Sequence, residues 1–263
     1  MGNPAYIYTN FLNGTDFVSV TASAADTSYP VGNLYDERQS KRFKSTGTSE
    51  VLVARFGTSF ATGSHSIRAC FLDSNLATYS GVIYGTFDYS TNNSVWAGTQ
   101  DLTATNNEGV LDFAFPVIAT AATYLRFQVK CAAGDVCSIG ELVIGTPVEF
   151  PAQSYDGYAN NEIRNVLEFN TPYGQRWSLP RNDAGGYLNQ VSMNFQGLSI
   201  TNKNILRDFY RTVGENPFVY IYNTSDTDCR YMHLIDKNFV WNWLNKDLAA
   251  VPSVTMIQEA RHL

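Results

Sequence analysis

Tyr124–Gly145 reads YLRFQVKCAAGDVCSIGELVIG. Two apolar runs, Tyr124–Cys131 and Ile139–Gly145, lie either side of a stretch centred on Gly134 and Asp135, so the segment predicts two strands around a turn. Toward the N-terminus the same kind of run recurs: VLVARF from Val51, SIRACFL from Ser66, GVIYGTFDYS from Gly81 and LDFAFPVI from Leu111. Gly, Asn, Ser and Asp turns separate the runs, at spacings of about 10–15 residues and with no helical period, which predicts an antiparallel two-sheet sandwich over residues 1–147.

The pattern changes at TPVEFPAQS, Thr146–Ser154, where two prolines stand among polar residues. A domain boundary is expected there, with a second unit over residues 148–263. In that unit NEIRNVLEFN, GQRWSL and GYLNQVSMNFQGL read as strands. Ile205, Leu206, Phe209 and Val213 then fall at helical spacing, predicting one helix over about 203–213, capped by Thr201 or Asn202 and stopped by Gly214. PFVYIYN, CRYMHLID, NFVWNWLN and VPSVTMIQEA read as four further strands. The class is all-β with one helix, the second unit being a sandwich or barrel that the helix interrupts. The runs FVYIYN and FVWNWLN are expected in the core, with an interface as the competing reading.

Composition excludes several functions. Charged residues make up only 16% of the 263, and the net charge is −6. No basic surface able to neutralise a nucleic-acid backbone is expected. The one compact basic run, Arg38–Lys44, reads as a solvated loop. No stretch approaches the length of a membrane span, and the N-terminal residues show no secretory pattern, so synthesis in the cytoplasm without membrane insertion is expected. Cys70, Cys131, Cys137 and Cys229 lack metal-ligand spacing and read as buried thiols, with Cys131 and Cys137 facing each other across a hairpin as the competing reading. His65, His233 and His262 belong to no hydrolase or phosphate-binding motif, and the carboxylates read mainly as turn formers. No enzyme is expected.

Read in order, NLYDERQSKRFKST (Asn33–Thr46), VLVARFGTSF, GTFDYSTNNSVW and YLRFQVKCAAGDVCSIGELVIG resemble discoidin-like jelly-roll domains of the galactose-binding-like family, over about residues 15–147. The resemblance implies that Phe43 anchors a long loop on the core where relatives use Trp, and that Trp96 does the same at a hairpin end. Arg126 is expected to point outward or to pair with a carboxylate. Calcium-bearing members would place ligands at Asp36 and Glu141, but Glu37, Arg38 and Gln39 depart from the usual turn. A structural calcium ion is the one cofactor the resemblance allows. Carbohydrate-binding members grip ligand with loop aromatics, for which Tyr29, Tyr35, Tyr79 and Trp96 are the candidates here.

The second segment, through NEIRNVLEFNTPYGQRWSLP and LRDFYRTVGENPFVYIYN, resembles the tail-tube-like fold of tailed bacteriophages. That resemblance implies a virion structural protein of the distal tail or tail tip, its partners being copies of itself in a ring and neighbouring tail proteins. MGNPAYIYTNF then reads as an arm that orders on a neighbour, or as a first jelly-roll strand. The alternative function is an adhesion protein recognising a cell-surface glycan through the jelly roll.

Overall fold

The computed structural model describes residues 4–36, 41–60, 67–76, 83–103, 111–114, 122–151, 155–164, 166–170, 176–180, 187–214, 216–222, 229–236 and 238–258. The chain divides into two compact units: Met1–Val148 with Ile221–Cys229, and Glu149–Tyr220 with Arg230–Leu263. The return of residues 221–229 to the first unit has no counterpart in the sequence pattern.

The first unit contains β1 (Ala5–Ile7), β2 (Phe17–Ala22), β3 (Phe43–Lys44), β4 (Ser49–Phe60), β5 (Arg68–Leu72), β6 (Ile83–Ser90), β7 (Ala97–Thr103), β8 (Leu111–Ala114), β9 (Ala122–Lys130), β10 (Ser138–Ile139) and β11 (Glu141–Gly145). Five strands form one antiparallel sheet in the order β2-β4-β9-β6-β7, and three form another in the order β11-β5-β8. This is a jelly-roll-like arrangement of two antiparallel sheets. Strand β1 is buried and lies outside both sheets.

Period-two alternation sets the faces. On β9, Leu125, Phe127 and Val129 are buried, while Tyr124, Arg126 and Gln128 face outward and are only partly covered. On β4, Leu52, Ala54 and Phe56 point in and Val51, Val53 and Arg55 point out. The two sheets meet through rings: Phe127 lies 5.6 Å from Phe71 of β5 and 5.4 Å from Phe87 of β6. Each fully buried Phe contributes about 1.5–3 kcal/mol through area removed from water. Phe43 is buried in the same cluster. Asn10 ties the N-terminal segment down, its Nδ2 donating to the Leu142 carbonyl and its Oδ1 accepting from the Ile144 N–H.

After the short exposed strand β12 (Val148–Glu149) come β13 (Tyr155–Arg164), β14 (Val166–Asn170), β15 (Arg176–Pro180), β16 (Tyr187–Ser199), α1 (Ile200–Val213), β17 (Phe218–Ile221), β18 (Cys229–Leu234), β19 (Asn242–Trp243) and β20 (Leu248–Gln258). The order β17-β18-β20-β16-β13 gives an open sheet, β19 also pairs with β20, and β14 with β15 forms a separate hairpin. Among the described residues no barrel closes, because β13 has β16 as its only neighbouring strand.

Helix α1 starts earlier than the sequence implies. Strand β16 runs straight into it, and the Ser199 side chain, rather than Thr201 or Asn202, caps it by accepting from the Asn202 N–H at 3.2 Å. Gly214 ends it with φ +56°, in the region where a side chain is strained. Leu206, Phe209 and Val213 are fully buried. Phe209 packs edge-on against Phe150 and Phe218, each at 5.2 Å.

The run NFVWNWLN is not a core strand. Only Asn242 and Trp243 pair, with Ala250 and Ala249 of β20, and Val240, Trp241, Trp243 and Leu244 are exposed. A tight turn causes this. The Asn245 side chain accepts from the Asp247 and Leu248 N–H groups, and the Leu244 N–H donates to the Leu248 carbonyl, so the chain reverses after two paired residues.

Candidate functional site

Strand β3 organises a polar patch at the loop end of the jelly roll. Phe43 points inward opposite Ile139, so the period-two rule turns Arg42 and Lys44 outward. The loop from Ala24 to Leu34 is stitched to that strand. The Asp26 N–H donates to the Lys44 carbonyl, the Lys44 N–H donates to the Tyr29 carbonyl, and Asn33 Nδ2 donates to the Arg42 carbonyl at 2.9 Å. An Asx turn, in which Asp26 Oδ1 accepts from the Ser28 N–H at 2.8 Å, shapes the approach to Tyr29.

Tyr29 remains 37% exposed on this rigid loop, with the Lys44 ammonium 4.1 Å from its ring centroid. That cation–π contact fixes both side chains. Beside them Arg42 forms an ion pair with buried Asp73 and donates to Ser138 Oγ at 3.3 Å. Asp73 holds a left-handed backbone, φ +49°, in the turn after β5. Asn75 completes the patch: its Oδ1 accepts from the Ser138 N–H at 2.7 Å and its Nδ2 donates to the Val136 carbonyl at 2.8 Å. The arrangement joins a part-exposed aromatic face to two fixed cationic heads. It has the means to stack on a sugar ring and to hydrogen-bond hydroxyl or carboxylate oxygens.

The four aromatic candidates have different surroundings. Tyr29 lies in the patch. Tyr35 packs edge-on against Phe17 at 5.0 Å, along the margin of the core. Tyr79 lies outside the described residues. Trp96 stands at the β6–β7 hairpin and covers the Arg126 guanidinium, 4.1 Å from its ring. Arg126 in turn donates from Nε at 2.9 Å and from Nη2 at 2.5 Å to Asp88 Oδ2, which also accepts from Gln128 Nε2 at 3.3 Å. Trp96 therefore seals an ion pair on the face of the five-stranded sheet, with partners separate from those of Tyr29.

Of the calcium candidates, Glu141 is 1% exposed at the first position of β11, opposite Leu72, and Asp36 is partly buried at the end of the opening loop. Among the described residues no three His, Cys, Asp or Glu side chains form a group that holds a metal ion.

Arg42, Lys44, Asp73 and Asn75 were not legible as a set, because a basic run reads as a solvated loop until its aromatic faces the core. Cys70, Cys131, Cys137 and Cys229 are buried free thiols. Burial, followed by the hydrogen bond that the Cys137 thiol makes with Cys131, pushes the Cys137 thiol up to about 12. Burial likewise raises Tyr210, with Asp236 adding to the shift. Among the described residues no helix is long and apolar enough to cross a membrane.

No family model matches the chain, and no curated protein does. Similar solved structures include a carbohydrate-binding module of a family 31 glycoside hydrolase from Clostridium perfringens, at 16% identity and TM-score 0.38, covering 50% of this chain and 92% of that one. A carbohydrate-binding module in complex with 4,5-unsaturated mannuronic acid aligns at 19% identity and TM-score 0.35, covering 49% and 95%. The lectin-binding domain of lectinolysin, complexed with Lewis b, aligns at 10% identity and TM-score 0.38, covering 53% and 97%. Likenesses at this level carry no weight for function.

Proposed function

We propose that the protein is a non-enzymatic recognition protein whose jelly-roll unit holds a glycan at the Tyr29–Lys44–Arg42 end. One observation carries this reading: an exposed tyrosine ring is fixed on a stitched loop beside two cationic side chains that are themselves fixed in place. A pyranose ring stacks its C–H face on Tyr29, while Lys44 and Arg42 donate to its oxygens. Asp73 is buried and acts by orienting Arg42. Because both part-buried donors are cations, a sugar bearing a carboxylate fits better than a neutral one. Screening the full chain and a Tyr29→Ala variant on a glycan array tests the reading. Binding to acidic glycans that the variant loses by about tenfold or more supports it. Absence of binding, or binding equal in both chains, rejects it.

A second reading is a structural component of a phage virion, a ring-forming distal tail or tail-tip protein that contacts its own copies and neighbouring tail proteins. The exposed apolar hairpin of the second unit favours it, since such surfaces mark assembly contacts. Mass spectrometry of purified particles tests it directly, and absence of the chain from them would end it.

A further inference from the structure

The hairpin Asn238–Leu248 combines exposure with rigidity. Val240, Trp241, Trp243 and Leu244 are between 41% and 55% exposed. A mobile loop carrying such residues would tuck them in, but these are pinned. Trp241 stacks on Phe239 at 5.4 Å, Phe239 lies 5.2 Å from Tyr210 of α1, and the Lys203 ammonium of α1 sits 5.2 Å from the Trp241 ring and 4.7 Å from that of Trp243. The Asn245 turn closes the tip. The platform is therefore organised before any partner arrives, which lowers the entropy cost of docking.

Two features select the partner. Strand β19 pairs on one side with β20, and among the described residues no other strand pairs with it, so it presents an edge. An edge strand is complementary to an antiparallel copy of itself. The exposed charges at the tip, Lys246 and Asp247, are of opposite sign and lie 3.9 Å apart, so the hairpin carries no net charge, although the chain as a whole is at −6. At the tip a second copy therefore meets no net like charge, and the Lys203 ammonium of α1 is held against the Trp241 and Trp243 rings, 8% of the residue remaining exposed. The four apolar side chains leave on the order of 400 Å² exposed, against about 800 Å² per partner in a standard interface.

We infer that β19 and its flanking apolar residues form a two-fold self-association surface through which two copies of this chain pair edge to edge. The limited area makes the pairing concentration-dependent. The inference goes beyond both readings of function, because a two-fold contact closes a pair and does not by itself build a ring, and it is independent of the glycan site.

Sedimentation equilibrium of the full chain gives the readout. The expected result is a rise from the 29.2 kDa monomer toward twice that mass over about 10–100 µM, with Leu244→Asp shifting the midpoint upward by about tenfold or more. Because the native cysteines are all buried, an Asn242→Cys variant should form a disulfide-linked dimer under mild oxidation, whereas Asn93→Cys on the first unit should not. A wild-type chain that stays monomeric across that range overturns the inference. Association unchanged by Leu244→Asp does so too, even if the chain is found in virions. Co-flotation of a monomeric chain with phosphatidylglycerol vesicles would also overturn it, by assigning the hairpin to a lipid surface.

Discussion

Replacing Asp88 by Ala removes the acceptor that holds Arg126 under Trp96. The carboxylate is 1% exposed and its Oδ2 receives two hydrogen bonds from the guanidinium and one from Gln128, whereas the arginine side chain is 24% exposed. Breaking a fully buried pair costs about 3–5 kcal/mol, because one charge is left uncompensated. Here the stranded guanidinium regains water along its open quarter, so the expected loss is about 2–3 kcal/mol. For a unit of this size that lowers its melting temperature by about 5–10 °C. The double variant Asp88→Ala/Arg126→Leu should regain part of the loss, giving a coupling above about 1 kcal/mol. Urea unfolding followed by circular dichroism measures all four corners of the cycle. If Asp88→Ala falls within about 0.5 kcal/mol of the wild type, or the two changes are simply additive, the pair behaves as an exposed one and the reasoning fails.

Phe209→Asp places a charge between Phe150 and Phe218 and should cost the second unit more than about 4 kcal/mol, visible as loss of its melting transition; unchanged melting would reject the helix-on-sheet packing. Cys137 stays protonated in the folded chain up to about pH 12, while the unfolded thiol ionises near its ordinary value. The folded state therefore binds more protons above that value, and stability that is full at neutral pH should decline as the pH rises past about 9. Cys137→Ser should flatten that decline, as followed by urea midpoints between about pH 7.5 and pH 10.5. Limited proteolysis should cut first between Thr146 and Ser154, and mass spectrometry of the earliest fragments checks this.

Much of the fold could be read from local periodicity. The jelly-roll strands follow from alternation such as Leu125, Phe127 and Val129, and the helix follows from Leu206, Phe209 and Val213 with Gly214 after them. Phe43 was legible as an anchor through the resemblance alone, which puts it where relatives use Trp, and it is buried in the core. What escaped depends on contacts distant in sequence. The cap at Ser199 escaped because a strand passes into a helix without a loop. The hairpin of Trp241 and Trp243 reads as core, since apolar alternation cannot tell a paired central strand from a two-residue edge. The patch around Tyr29 needed the pairing of Lys44 with Ser138, and the turn at Asp73, before its members could be placed together. The calcium reading joined Asp36 to Glu141, more than a hundred residues apart, and local periodicity has no means of placing two such carboxylates together.

The central claim is that glycan recognition resides at the loop end of the jelly roll. A nitrogen-15 amide spectrum of the full chain, titrated with the tightest-binding acidic oligosaccharide, tests it most directly. Shift changes confined to the segments around Asp26–Thr46, Asp73–Asn75 and Val136–Ser138, and abolished by Lys44→Ala without change elsewhere in the spectrum, are the predicted result. Changes centred on Trp96 or on the Asn238–Leu248 hairpin, or no changes at millimolar ligand, would contradict it.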